Sequence, residues 1–333
     1  MKRRSGREGM ALLTVLLLVA VMSAIAVALL DDVRFSVRRT TNVETGGQAQ
    51  WLASGAELMA RARIGRLMQM DPVRTPLQPD WNGRRLDFPI EDGAISATVS
   101  DGQACFNLNS VVLGVGEDLV ARPEGAAQFR ALGRVVGVPD SRMRAIADAL
   151  TDWLDADNEA LPLGAEDGAY AGLSTPYRTA GVMMAEVSEL RAVKGVDADA
   201  WRRLRPYICA LPTSQMSALN VNTLTPEQAP LLTMLTLGQI TPQQARAVIA
   251  RRPRDGWANG EAFWAQPALS NVSPEDETRA QAVVLTRFFR LRVDVDYGGA
   301  HAVRTALLEA RPDGAVRTDR KSTRLNSSHV LIS

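Results

Sequence analysis

The amino-acid sequence predicts an α+β fold, in which a long N-terminal helix leads into a small antiparallel sheet that carries a large inserted helical domain. Three observations support this fold class. Helical spacing runs from the N-terminus to about residue 70, period-two segments occur near 85–100 and 288–308, and short helical patterns fill most of 107–287. Because strands stand before and after the helical block, segments distant in the chain have to close the sheet.

A short basic leader precedes an apolar run at the N-terminus. Residues 10–30 carry no charge, and these 21 residues give about 30 Å of helix, enough to cross a bilayer. The run is longer than the core of a secretory signal and lacks a small-residue cleavage site before Asp31. Because the basic residues come first, the positive-inside rule puts the N-terminus in the cytoplasm. We therefore predict a single membrane anchor.

Helical spacing continues beyond the span, and two hairpins are predicted from their alternation. The helix is expected to end at Asp71-Pro72, with a bend at Gly46-Gly47. The first hairpin turns at Asp92-Gly93 and the second at Gly298-Gly299. One apolar face of the helix outside the membrane is formed by Leu52, Ala56, Met59, Ala60, Ile64, Leu67 and Met68.

Charge and composition exclude several classes of function. The net charge is +1, and the basic leader 1–9 and the tail 318–333 account for more than all of it, leaving −4 for the body. An acidic body disfavours binding to a phosphate backbone. The few histidines and cysteines do not form a usual zinc site, and neither a nucleotide-binding loop nor a nucleophile elbow occurs, so we predict no enzymatic activity. The tail resembles translated sequencing-adapter sequence, so we interpret it as non-native and leave it out of the predicted fold.

The two cysteines are Cys105 and Cys209. Beyond the membrane the compartment is oxidising, and two thiols there tend to form a disulfide. The alternative is two separate buried thiols. We expect the disulfide.

An acidic stretch, 152–167, is the best candidate for a binding site. Carboxylates alternate at three positions, and a glutamate follows eleven residues after the first of them. Loops that bind calcium supply oxygens in this manner, but Ala160 stands where an EF-hand has glycine, so the spacing predicts a loop of another shape. A solvated acidic turn is the alternative, and Asp152 is a candidate ligand or hydrogen-bond partner. The candidate ligands are Asp155, Asp157, Glu159, Glu166 and Asp167.

Two further patterns favour structural roles. Segments 189–208 and 235–252 resemble helix-hairpin-helix units, yet each hairpin has one glycine, and Asp197 and Asp199 would repel phosphate. We interpret them as packing modules. The asparagine pairs of "NLN" and "NVN" are expected to bind turn backbones or cap helices.

The stretch "GMALLTV", residues 9–15, resembles the processing site of type IV pilins and type II secretion pseudopilins. Four further segments match one family within that group, and over about residues 5–310 the chain resembles the general secretion pathway protein K (GspK) family of minor pseudopilins. These segments are "FNLNS" at 106–110, "LTDWLDAD" at 150–157, "GAEDGAY" at 164–170 and "LNVNT" at 219–223.

The resemblance implies a function and a set of partners. A prepilin peptidase is expected to cut after Gly9, leaving N-methylated Met10, and the chain is expected in the bacterial inner membrane with its bulk in the periplasm. Thr14 stands where most pseudopilins have a glutamate that pairs with a neighbouring subunit, so the chain is expected to cap the pseudopilus tip during export across the outer membrane. Minor pseudopilins I and J are the implied partners, packing near Leu52, Met59 and Leu67 of the helix, and the resemblance favours Ca²⁺ in the acidic loop. No nucleic acid is expected.

The alternative function is a membrane-anchored DNA-binding or DNA-uptake protein that uses the helix-hairpin-helix-like units. The predicted organisation has a pilin-like domain and an inserted all-α domain of SAM-like or helix-hairpin-helix-like type. The segments are the cleaved leader 1–9, the membrane-spanning part 10–30, the pilin-like domain 31–106 and 288–317, the inserted domain 107–287 and the tail 318–333.

Overall fold

The computed structural model describes residues 5–116 and 118–327, and one long helix, α1 (Ser5–Met70), begins it. By length and composition α1 is able to cross a membrane, and the apolar part is not buried inside the protein. The helix continues through Gly46 and Gly47 without the expected bend. It ends at Asp71 as predicted, because the Asp71 Oδ1 accepts hydrogen bonds from the N–H groups of Val73 and Arg74, each at 3.0 Å, and so turns the chain.

The other elements follow in a fixed chain order. The helices are α2 (Pro123–Val135), α3 (Asp140–Leu154), α4 (Asp167–Ala171), α5 (Ala198–Leu204), α6 (Ala229–Leu235), α7 (Pro242–Ala250), α8 (Gly260–Trp264) and α9 (Asp276–Ala280). The strands are β1 (Arg85–Ile90), β2 (Gly93–Asp101), β3 (Phe106–Asn107), β4 (Val112–Val115), β5 (Asp118–Ala121), β6 (Ile208–Cys209), β7 (Leu219–Asn220), β8 (Ala282–Val283), β9 (Phe288–Tyr297), β10 (Ala300–Ala310) and β11 (Val316–Ser327).

The main sheet has the order β1-β2-β9-β10-β11, and every neighbouring pair is antiparallel. Strands β2 and β9 are adjacent although the whole helical segment separates them in the chain, so distant segments close the sheet as the sequence predicted. Alternate residues of β9 face the second half of α1 and are fully buried. The core between α1 and the sheet contains Ala49, Ala53, Ile64, Leu67, Phe289, Leu291, Val293 and Val295.

The residues between β2 and β9 fold mainly into short helices, which pack around a second hydrophobic core. Most predicted helices are present, but two differ: 187–192 is a 3₁₀ helix, and α9 ends at Ala280, after which the chain extends into β8. The small parallel pairs β3–β6 and β7–β8 bring distant parts of this segment together. Its core includes Phe106, Phe129, Leu132, Met143, Ile146, Leu150, Leu204, Leu232, Ile249 and Phe263.

The four asparagines of the paired motifs are buried and bind turn backbones, as expected. Asn109 donates to the carbonyls of Met184 and Leu211 and accepts from the Met184 N–H at 2.8 Å. Asn222 exchanges two hydrogen bonds with the Trp257 backbone, at 2.8 and 2.9 Å. These amides satisfy buried peptide groups that would otherwise lack partners, so their role is structural.

The C-terminal tail differs from the prediction. Residues 318–327 were left out of the predicted fold, but they belong to β11, which pairs with β10 along the edge of the sheet. No apolar pattern in these residues indicates a strand, because backbone hydrogen bonds hold an edge strand that buries few side chains. Residues 328–333 of the tail and 1–4 of the leader lie outside the described residues. The foreign origin of the tail stays a prediction.

Candidate functional site

The residues of the predicted processing site lie at the start of α1. Met10 is 68% exposed, and the Thr14 hydroxyl donates to the Ala11 carbonyl at 2.8 Å within the helix. Gly9 belongs to the same helix. Thr14 therefore offers a small, uncharged surface where a carboxylate would carry charge into the apolar span.

Outside the span, α1 has an inner and an outer apolar face. Leu67 is 7% exposed and packs with Leu52 against the protein's own sheet, so these two residues do not form the predicted partner surface. On the opposite face Trp51 is 77% exposed and Leu58 is 62% exposed, and Met59 is also exposed. Trp51 and Leu58 are seven residues apart, two helical turns, so both point away from the sheet. Trp51 and Leu58 are not evident from the sequence because the inward apolar stripe dominates the helical pattern.

The acidic stretch folds into a loop between α3 and α4. Asp155 directly follows α3, and its N–H closes the helix by bonding to the Thr151 carbonyl at 2.9 Å. Glu166 directly precedes α4. One carboxylate oxygen each from Asp155, Asp157 and Glu166 lies within 4.8 Å of the others. Oxygens around one calcium ion lie 2.3–2.6 Å from it, hence up to about 5 Å from each other, so the spacing suits a shared cation.

Two carboxylate oxygens of this group are buried without a partner among the described residues. They are Asp155 Oδ1 and Glu166 Oε1. Burial, together with the charges of Asp157, Asp152 and Glu166, raises the pKa of Asp155 to about 7. Burial and the charges of Asp152 and Asp157 also raise the pKa of Glu166. Crowded, partly dehydrated carboxylates of this kind are the groups that a divalent cation would satisfy.

The other two predicted ligands lie outside this group. Glu159 is exposed, because its own N–H bonds to Asp157 Oδ1 at 2.8 Å and the chain turns outward there. Asp167 accepts hydrogen bonds from the N–H and hydroxyl of Thr179, at 2.9 and 3.0 Å, and lies 3.8 Å from the Arg178 guanidinium. Asp167 therefore ties α4 to a neighbouring segment.

Aromatic rings close the inner side of the acidic loop. Trp153 and Tyr170 meet edge to face with ring centroids 5.4 Å apart, and Tyr177 stacks on Tyr170 at 5.1 Å. Trp153 is 7% exposed and Tyr170 is 2% exposed, so these two rings belong to the core.

The structure joins Cys105 and Cys209 in a disulfide, with their Cα atoms 5.8 Å apart. Cys105 directly precedes β3, Cys209 ends β6, and these two strands pair in parallel. The bond therefore links residues 104 positions apart at the point where the helical segment meets the sheet.

The helix-hairpin-helix-like units are packing modules. Asp197 caps α5 by accepting from the Ala200 N–H at 2.8 Å, and its second oxygen pairs with Arg142 at 2.6 Å. Leu190 and Leu204, on either side of this turn, are fully buried. A carboxylate stands where a phosphate would bind, so the DNA-binding alternative has no support.

A family model and curated relatives that match this chain all carry the same description. The family described as "Type II secretion system (T2SS), protein K" matches residues 104–213 and 219–286. The type II secretion system protein K of Pectobacterium carotovorum subsp. carotovorum is 41% identical over 305 residues, covering 90% of this chain and 92% of the relative. The protein of the same name from Aeromonas hydrophila is 38% identical, with 90% and 91% covered.

A solved structure is also similar. The crystal structure of the GspK-GspI-GspJ complex from the enterotoxigenic Escherichia coli type 2 secretion system contains a chain that aligns with a TM-score of 0.76 at 30% identity. The alignment covers 86% of this chain and 99% of that one. On these grounds the chain belongs to the type II secretion system protein K family.

Proposed function

We propose that this protein is a minor pseudopilin that caps the tip of the type II secretion pseudopilus. The single observation that carries the proposal is the architecture of the chain. An exposed N-terminal helix leads into a sheet, and a large helical domain is inserted between strands β2 and β9 of that sheet. The first half of the helix is the part that anchors in the inner membrane, and the remainder lies in the periplasm. The disulfide between Cys105 and Cys209 suits an oxidising compartment.

The proposed partners are the minor pseudopilins I and J. Support comes from the similar solved chain, which was crystallised in a GspK-GspI-GspJ complex. The outer face of α1 has the chemistry of a protein contact, since Trp51, Leu58 and Met59 are large, apolar and exposed on a rigid helix. We propose this face, rather than the sheet-facing Leu52 and Leu67, as the contact with a partner helix.

Two features argue for the tip position. The helical domain adds bulk to one side of a small sheet, so it would clash with a subunit stacked above it. Thr14 lacks a charge, so it does not form an ion pair with the terminal amine of a preceding subunit. The steric feature is independent of the electrostatic one, and we favour it as the cause of capping.

A divalent cation, Ca²⁺ in our proposal, binds between Asp155, Asp157 and Glu166. The support is their convergence within 4.8 Å and the two partnerless buried oxygens. The cation would supply the positive charge that relieves repulsion among these carboxylates and so fix the loop between α3 and α4.

The test of the capping function removes the helical domain. Gly102 N–H bonds to the Phe288 carbonyl at 2.8 Å, so a short turn can rejoin the chain after residues 107–287 are deleted, with Cys105→Ser added. We expect this variant to insert in the membrane, to impair secretion and to alter pseudopilus length. Normal secretion with unchanged length would overturn the capping function.

A matched variant separates the two causes of capping. Thr14→Glu restores the carboxylate while the helical domain stays, and the cost of inserting one such side chain, about 3 kcal/mol, leaves anchoring intact. We expect Thr14→Glu to secrete normally in the same assay. A Thr14→Glu defect as large as that of the deletion would make charge, rather than bulk, the cause.

A further inference from the structure

Asp152 lies beside the proposed cation site, yet its carboxylate is already bound by the protein. Asp152 lies in the last turn of α3 and is fully buried. Its Oδ2 accepts from the Ala165 N–H at 2.6 Å, and both oxygens lie 3.2 Å from the Leu161 nitrogen. Asp152 therefore holds the backbone of 161–165 against α3, directly before Glu166.

Gly164 makes this contact possible. A Cβ atom at Gly164 would lie 1.9 Å from Asp152 Oδ2 and 2.7 Å from its carboxyl carbon, well inside van der Waals contact. Asp152 has little freedom to retreat, because it is fully buried and hydrogen-bonded on both sides of the glycine. A side chain at position 164 would therefore push the loop away from α3.

The same short segment has one further tie to α3. The Leu163 N–H bonds to Asp148 Oδ2 at 3.3 Å, one helical turn before Asp152. Alternate N–H groups at 161, 163 and 165 thus bond to carboxylates of one helix. Repulsion from Asp155 and Asp157 acts to drive Glu166 outward, and these ties oppose it together with the Thr179 hydroxyl, which donates to Glu166 Oε2 at 3.5 Å.

We propose that Asp152 and Gly164 form a positioning pair that fixes Glu166 opposite Asp155 and Asp157, with Asp152 shaping the cation site rather than serving as a ligand. This inference rests on the proposed cation site. Neither Asp152 nor Gly164 is one of the three residues whose carboxylates converge, so the pair would hold those residues in place without contacting the cation. Residues that hold metal ligands in place commonly matter for affinity nearly as much as the ligands do.

Gly164→Ala tests the pair, because it disturbs the loop without removing any carboxylate. The matched control is Gly168→Ala in α4, where a Cβ atom would meet nothing within 4 Å among the described residues. Calcium affinity is measured by titration calorimetry on the full chain in detergent, well below the melting temperature of each variant in chelator. We expect Gly164→Ala to bind calcium at least about tenfold more weakly than wild type, and Gly168→Ala to bind it equally well.

Asp152→Asn is the second variant, and unchanged calcium affinity in it overturns the pair even where Gly164→Ala does not fold. The amide keeps the shape of the side chain but presents an N–H₂ group to one of the two backbone donors, so we expect a loss of about tenfold as well. A variant that only destabilises the fold would bind calcium normally while folded. Affinity therefore separates positioning from general stability.

The outcomes are distinguishable. Wild type that binds no calcium overturns the proposed cation site itself, and the pair with it. Wild type that binds while folded Gly164→Ala binds equally well overturns only the pair. Loss in Asp152→Asn with full affinity in Gly164→Ala makes Asp152 a ligand and also overturns it. If only Asp152→Asn folds, unchanged affinity in that variant overturns the pair.

Discussion

At the scale of single residues, we expect three carboxylates to determine whether the acidic loop responds to a cation. We expect the full chain in detergent to melt at a higher temperature with calcium than with chelator, because binding to the folded state alone stabilises it. Asp155→Ala or Glu166→Ala removes a converging carboxylate, and each should abolish the difference. The measurement is a melting curve in calcium and in chelator.

The control for this prediction is Glu159→Ala. Its side chain is exposed and lies outside the converging group, so the calcium response should persist in this variant. Identical melting of wild type in calcium and in chelator would show that the carboxylates form only a solvated turn. A lost response in Glu159→Ala alone would show that the ligand set is wrong.

A second prediction at this scale concerns the buried ion pair that fixes α1 to the sheet. Arg304 Nε lies 2.5 Å from one oxygen of Glu57, and the Thr318 hydroxyl donates to the other at 2.6 Å. Burial acts to raise the pKa of Glu57, but these hydrogen bonds and the Arg304 charge outweigh it and the pKa is lowered. The pair therefore stabilises the fold above the unfolded-state pKa, and this stabilisation is lost as the pH falls through the folded-state pKa.

We expect Glu57→Gln to lower the free energy of unfolding near pH 7 by about 3 kcal/mol, because it leaves Arg304 buried without a counter-charge. The difference from wild type should narrow at acidic pH, once the pH falls below the ordinary glutamate pKa of about 4.3 and then through the lowered pKa of folded Glu57. Urea unfolding at both pH values measures it. Asp199→Asn, in an exposed pair with Arg202 and Arg203, is the control and should cost less than about 1 kcal/mol. Equal losses in the two variants, or a pH-independent loss in Glu57→Gln, would contradict the assignment.

The sequence was enough to find the candidate ligands but not their support. Alternation identified Asp155 and Asp157, and the spacing of eleven residues from Asp155 identified Glu166, because calcium loops supply oxygens at alternate positions and from a late glutamate. The same alternation included Glu159, which a hydrogen bond to Asp157 turns outward. The close approach between Gly164 and Asp152 depends on how two segments pack, and no local pattern encodes that distance.

At the scale of elements, the outer face of α1 makes the sharpest prediction. Truncating an exposed aromatic anchor at a protein contact typically costs at least about 2 kcal/mol of binding, so Trp51→Ala should weaken the complex with minor pseudopilins I and J about thirtyfold. Binding of the purified partners to the full chain measures this. Val115→Ala, on the hairpin of β4 and β5, removes a side chain that is equally exposed, 79%, and should have no effect. Unchanged binding by Trp51→Ala would exclude this face as the contact.

The disulfide joins two elements that meet where the helical domain leaves the sheet. A cross-link closing about 100 residues stabilises by about 4–5 kcal/mol at most in the chain-entropy view. We expect the double variant Cys105→Ser, Cys209→Ser to unfold at lower denaturant concentration than wild type. A reductant should lower the midpoint of wild type to that of the variant and leave the variant itself unchanged. A wild-type midpoint that does not respond to reductant would contradict a stabilising bond.

Elements with a strong period were predictable, and those held by distant contacts were not. The alternation of β9 was confirmed because local burial determines it, and the turn at Asp92-Gly93 was confirmed because these residue types tolerate a tight turn, in which Asp92 has φ +60°. Within the segment of predicted short helices, 187–192 is a 3₁₀ helix, and α9 is short because the chain after Ala280 extends into β8, which pairs with the distant β7. Strand β11 was missed because its pairing with β10, rather than its own apolar pattern, specifies it.

At the scale of the whole molecule, the proposed function requires α1 to serve as a processed pseudopilin anchor. Residues 10–30 are apolar, lie at the start of a helix long enough to span a membrane, and follow Gly9. An ordinary anchor with the same helix would keep its leader, and a secretory signal would be cut near Leu30. The mature N-terminus therefore distinguishes the three possibilities.

The most direct test is mass spectrometry of the N-terminal peptide of the full-length protein purified from its native membrane. We expect a chain that begins with N-methylated Met10, with residues 1–9 removed. An intact leader, or a chain that begins near Asp31, would contradict it.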